Sequence, residues 1–96
     1  RPILDRLAQT LKDNPATNVR IIGHTDSKGS DAINNPLSLD RAASARDYLT
    51  DRGVAQGRIE IAGRGSREPV ADNGSEAGRA RNRRIEVFVA EAAAAR

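Results

Sequence analysis

The stretch Ile21–Arg41, IIGHTDSKGSDAINNPLSLDR, decides how this chain reads. It opens inside Val19-Arg20-Ile21-Ile22-Gly23, whose β-branched residues closed by glycine predict a buried strand. A polar loop from His24 to Ile33, containing Gly29, follows. A helix over residues 36–52 comes next, with Asn35 as its N-cap, Pro36 at its first position and Gly53 as its stop. One loop therefore joins a strand end to a helix start, and this leaves a crevice at the carboxyl end of the strand. Asp26 stands on one lip and Arg41 on the other.

The chemistry of these two side chains is specific. A fixed carboxylate accepts from an ammonium, and a guanidinium fork holds a carboxylate through two parallel charge-assisted bonds. Together they suit a zwitterion. A helix N-terminus between them adds unpaired backbone N–H groups and the positive end of the helix dipole. Leu39, Ala42, Ala45 and Leu49 mark the helix stripe expected to be buried. At about 100° per residue, Arg41 then lies about 200° round from Leu39, facing away from the core.

Outward from this stretch, helix and strand alternate. Ile3, Leu4, Leu7 and Leu11 recur at helical spacing over residues 2–13, with Pro2 suited to a first turn and Asn14-Pro15 as the stop. Ile59 and Ile61 predict a strand from Arg58 to Gly63. The Gly, Pro, Asn and Asp content of Arg64–Gly74 is turn chemistry. Ser75 is a candidate cap for a short helix to Asn82, with Glu76 and Glu60 as ordinary surface charges. Arg84–Val89 is the last predicted strand, with Ile85, Val87 and Val89 on one face. The expected organisation is one α/β domain over residues 1–89, helices packed on a mixed sheet, followed by an Ala-rich tail over 90–96 that reads as a trailing helix or frayed end.

Composition narrows the function classes. Ninety-six residues allow one small core, and with one Phe and one Tyr that core is aliphatic. There is no cysteine, so disulfides and thiolate metal sites are excluded. No apolar run approaches a membrane span, and no charged-then-apolar leader precedes the domain. The net charge is +3, but acidic residues are interspersed among the basic ones and two aromatics are too few for a base-stacking platform. Nucleic acid is not an expected partner.

Several motifs run through the chain in a familiar order: G-H-T-D at 23–26 with Gly29, N-x-x-L-S-x-x-R-A from Asn34 to Ala42, Y-L-x-x-x-G-V at 48–54, G-x-G at 63–65 with Pro69, A-D-N at 71–73, and G-R-x-x-N-R-R-I-E-V at 78–87. The chain resembles the OmpA-like, or OmpA C-terminal, peptidoglycan-binding domain family, and the fifteen-position separation of Asp26 and Arg41 agrees with it. The resemblance implies a periplasmic anchor of an outer-membrane or other envelope protein, gripping meso-diaminopimelate in the peptidoglycan stem peptide without a cofactor. Carried onto this sequence, Asp26 takes the ammonium and Arg41 the carboxylate. Thr25, Asn34 and the Leu37 backbone line the pocket, and Arg83 reaches in from the last strand. Alternation does not choose between Arg83 and Arg84; the family pattern favours Arg83. The departure from the family is at the start, where a strand like F-x-F-D-S upstream of the first helix is expected and is not found in this stretch.

The bland alternatives are plain. His24 is the single histidine, with no partner set for a metal, and reads as a structural residue near the strand end. Ser27, His24 and Asp26 stand too close in sequence to form a hydrolase triad, so no enzyme is expected. Asp26–Asp31 has Lys where a calcium loop needs a ligand. Gly63-x-Gly65 lacks the rest of a dinucleotide fingerprint. For Asp26 and Arg41 the alternative is a salt bridge stapling loop to helix. The rival function is a protein-interaction or oligomerisation module, such as a homodimer formed through an open sheet edge.

Overall fold

The computed structural model describes residues 1–91, so most of the Ala-rich tail, 92–96, lies outside the described residues. The elements are α1 (Pro2–Asp13), β1 (Thr17–Gly23), α2 (Asp31–Asp51), a 3-10 turn (Gln56–Arg58), β2 (Ile59–Gly63), α3 (Glu76–Asn82) and β3 (Ile85–Glu91). Three strands form one mixed sheet in the order β2-β1-β3, with β1 parallel to β2 and antiparallel to β3. Parallel neighbours need a crossover, and α2 supplies it. The expected α/β class and the alternation of elements hold.

Register explains the core. Ile59, Val19 and Val89 align across the sheet, then Ile61, Ile21 and Val87, then Gly63, Gly23 and Ile85. Leu4, Ala8 and Leu11 of α1 and Ala42, Ala45 and Leu49 of α2 pack on that face. Leu11, Ile21 and Leu49 are fully buried, each contributing about 1.5–3 kcal/mol of transfer free energy. Ile3, read as part of the α1 stripe, is 80% exposed instead. It sits in the first turn, at the edge of what the sheet covers. β3 continues to Glu91, past the expected end at Val89, because Thr17 and Asn18 of β1 offer ladder partners to Glu91 and Ala90.

Two corrections concern α2. Its N-cap is Ser30, so the helix starts well before Asn35, and Pro36 lies inside it. Ile33 and Asn34 donate their N–H groups to the Ser30 carbonyl, which closes the first turn. A proline this near the start removes one intrahelical bond without ending the helix. The open N–H groups of the helix end therefore sit at its new beginning, and Leu37 falls in the second turn. At the other end Gly53, at φ 98°, supplies the left-handed stop that the sequence predicts.

The buried stripe is the second correction. Asn34, Ser38, Ala42, Ala45 and Leu49 face inward, while Leu39 is 42% exposed. Gly23 and Gly63 are paired at the ends of β1 and β2, and α2 descends onto them. A Cβ at Gly23 would overlap the Ser38 carbonyl oxygen, and one at Gly63 would come within 2.6 Å of Leu39 N and Ser38 Oγ. Only a small residue fits so close an approach, and a serine can also bond there. Ser38 Oγ donates to the Asn35 carbonyl at 2.8 Å and accepts from Gly65 N at 2.9 Å.

Candidate functional site

The site forms where β1 ends. His24, Thr25 and Asp26 continue the chain beyond Gly23 and are all buried. His24 N donates to the Arg84 carbonyl at 2.8 Å and Thr25 N to the Gly65 carbonyl at 2.9 Å, so two neighbouring segments clamp this short run. Beyond Asp26 the chain turns back: Lys28 N donates to Asp26 Oδ1 at 3.0 Å, an Asx turn. Asn34 Nδ2 reaches back from α2 to the Lys28 carbonyl at 2.9 Å and the Asp26 carbonyl at 3.4 Å. Thr25 Oγ1 also donates to the Asp26 carbonyl, at 3.0 Å.

Asp26 and Arg41 are held by different partners. Arg83 Nη1 donates to Asp26 Oδ2 at 2.7 Å. Arg41 Nη1 donates to the His24 carbonyl at 3.0 Å. Among the described residues Asp26 and Arg41 form no ion pair with each other, so the salt-bridge alternative is not what the chain builds. Arg41 is half-buried at the strand end and does not point away from the core. With Ser38 and not Leu39 at the sheet, Arg41 comes three positions later, about 60° from the contact line. With Arg1, Ser44, Ala45, Arg83, Arg84 and Ile85 it lines a cleft of about 430 Å³, and Asp26, Thr25, Asn34 and Leu37 lie outside that lining.

The two neighbouring arginines take different partners. Arg83 goes to Asp26, whereas Arg84 turns to the other face of the sheet, donating to Glu86 Oε2 and to the Glu68 carbonyl at 2.9 Å each. The His24 ring is on that face too, with Nε2 3.0 Å from Glu86 Oε1. It is the structural histidine expected. Burial pushes the Glu86 carboxyl up, but the bonds from Arg84 and His24 outweigh it and leave it below the ordinary range.

Residues absent from the sequence-derived site complete it. Arg83 Nη2 is 2.6 Å from Glu76 Oε2, so Glu76 is no ordinary surface charge. Asn82 is fully buried: its Oδ1 accepts from Val70 N and Ala71 N, and its Nδ2 donates to Asn73 Oδ1 at 2.8 Å. Asn73 Oδ1 in turn accepts from Ser27 N at 3.2 Å. This chain of amides ties α3 and the long loop to the Asp26 turn. A signal for Glu76 was present, because seven residues separate it from Arg83, two helical turns that bring both to one side.

The bond from Arg83, opposed by burial and aided by Lys28 N, holds the Asp26 carboxyl below its usual range. A carboxyl with a depressed folded-state pKa contributes stability above its unfolded pKa of about 3.9 and loses it as pH falls through the folded value. Stability should thus decline below about pH 4, and Asp26→Asn should flatten part of that decline. Thermal unfolding from pH 2 to 6 measures both curves; coincident slopes would remove Asp26 from the acid response.

The OmpA family model matches residues 1–83. The chain belongs to the OmpA family. As an OmpA-family domain it is 49% identical over 87 residues to a peptidoglycan-binding protein, ArfA, of Mycobacterium tuberculosis, covering 91% of this chain and 27% of that protein. It is 52% identical over 83 residues to outer membrane porin F of Pseudomonas fluorescens, covering 86% of this chain and 26% of that one. The chain thus spans about a quarter of the length of these relatives. In structure it resembles the peptidoglycan-associated lipoprotein of Burkholderia pseudomallei, with TM-score 0.89 and 34% identity over 93% of this chain and 75% of that one. OmpA-family membership makes the domain non-enzymatic, and among the described residues no helix is long and apolar enough to cross a membrane.

Proposed function

We propose that this domain binds peptidoglycan non-covalently, through meso-diaminopimelate of the stem peptide, and so anchors an envelope protein to the cell wall from the periplasm. The observation that carries this reading is the separate fastening of Asp26 and Arg41 at one strand end. Opposite charges that neutralised each other would offer a ligand little. Here Arg41 spends one N–H on a backbone carbonyl and keeps the rest of its fork for a carboxylate. Asp26 is oriented by Arg83 and Lys28 N, and each of its oxygens retains a lone pair for an ammonium. Thr25 and Asn34 act by holding the Asp26 turn, and Leu37, in the second turn of α2, keeps its side chain exposed. The family membership and the relative named for peptidoglycan binding support the same ligand.

The test compares three soluble stem peptides by calorimetry: one with meso-diaminopimelate, one with its side-chain carboxylate amidated, and one with lysine. Each of the latter two lacks the anionic group assigned to Arg41. The expected result is saturable binding of the first and weakening of the others by at least about tenfold, the low end for losing a charged hydrogen-bonded partner. Equal affinity for all three would overturn the assignment.

A further inference from the structure

We propose that Glu76 sets the selectivity of the Asp26 end of the site for an ammonium, by cancelling positive charge that Arg83 and Arg79 place beside Asp26. The inference rests on the stem-peptide reading above and adds a residue to it. Asp26 is in direct contact with Arg83 at 2.7 Å, and the Arg79 charge also acts on it. One negative group facing two positive ones is a poor receptor for a cation. Glu76 touches both arginines: its Oε2 lies 2.6 Å from Arg83 Nη2 and its Oε1 lies 3.2 Å from Arg79 Nε. With Glu76 in place the four charges sum to zero, and the oxygens of Asp26 face an incoming ammonium without a net repulsion.

The same contact decides what Arg83 can do. Two of its five N–H donors are spent on carboxylates, one on Asp26 and one on Glu76. Arg83, held between two carboxylates, supports Asp26, and Arg41, whose guanidinium makes one bond, to a backbone carbonyl, among the described residues, is the freer fork for the ligand carboxylate. Division of labour between two arginines follows from a third charge. Ser75 fixes Glu76 in position as the N-cap of α3, its Oγ accepting from Gly78 N at 3.0 Å, and Arg79 is itself pinned to the Asn73 carbonyl at 3.0 Å.

The experiment is Glu76→Gln, which keeps an acceptor for Arg83 and removes only the charge. Two peptides are titrated: the diaminopimelate stem peptide, and an analogue in which its side-chain ammonium is replaced by hydrogen. The Asp26 carboxyl is followed by NMR in the ligand-free protein. Glu76→Gln should weaken the diaminopimelate peptide roughly three- to fivefold, the scale of a partly exposed charge pair, and leave the analogue unchanged or tighter, because the negative charge that opposed its carboxylate is gone. The difference should shrink at high salt, and the Asp26 titration midpoint should fall below that of the wild type.

Equal weakening of both peptides would mean a structural role only and would overturn the proposal. An unmoved Asp26 midpoint would overturn it as well, independently of any ligand. A wild-type domain that binds neither peptide would instead remove the stem-peptide reading, and the selectivity with it, whatever Glu76→Gln does to Asp26.

Discussion

Asp26→Ala and Arg41→Ala should each reduce affinity for the diaminopimelate peptide about a hundredfold while leaving a folded domain. Truncating one partner of a partly buried charge pair costs about 2–5 kcal/mol, and about 1.4 kcal/mol is tenfold. Both side chains sit at the end of the strand, outside the aliphatic core on which α1 and α2 rest. Arg41→Lys separates charge from geometry. The ammonium keeps the charge but loses the planar fork, so it should recover only part of the loss. Calorimetry gives the affinities and thermal unfolding shows that the fold survives. Wild-type binding by either alanine variant would sink the two-ended site.

The largest effect on stability is expected at Gly23. An alanine there would drive its Cβ into the Ser38 carbonyl oxygen, which is backbone in the middle of α2 and has no rotamer by which to yield. Overpacking of this kind costs about 1–3 kcal/mol, and for a domain of this size about 1 kcal/mol moves Tm by about 4–8 °C. A fall of about 5–20 °C is the expected result. Gly57→Ala serves as the control, since an added methyl meets nothing within 4 Å. The strained variant should bind poorly too. Lifting α2 from Gly23 separates Arg41 from the His24 carbonyl that holds it, so stability and binding fall together. A Tm for Gly23→Ala equal to that of Gly57→Ala would refute the close approach.

Much of the architecture was legible because it depends on neighbours in sequence. The helical spacing of Leu4, Leu7 and Leu11, the β-branched run at Val19–Ile22, the cap at Ser75 and the stop at Gly53 are local signals, and each appears where it was read. The motif set carried the family, and it drew attention to Asp26 and Arg41, which the structure holds near the same strand end by different partners. Local rules failed where two distant segments meet. Pro36 after Asn35 reads as a helix start, yet the Ser30 carbonyl accepts from Ile33 and Asn34 and begins the helix earlier. Leu39 reads as core by its hydrophobicity, yet Ser38 is the residue at the sheet.

The sequence by itself determined the class of fold, the order of its elements, the family, and which carboxylate and guanidinium share the strand end. Only the tertiary structure decided that Arg83 and not Arg84 turns to Asp26, that Arg41 rests on the His24 carbonyl, and that Glu76 joins Arg83. The physical reason is one of range. Helix and strand periodicity is set by residues a few positions apart, whereas the face that α2 turns to the sheet is set by how closely backbone can approach at Gly23 and Gly63, and that distance is the product of the whole packed layer.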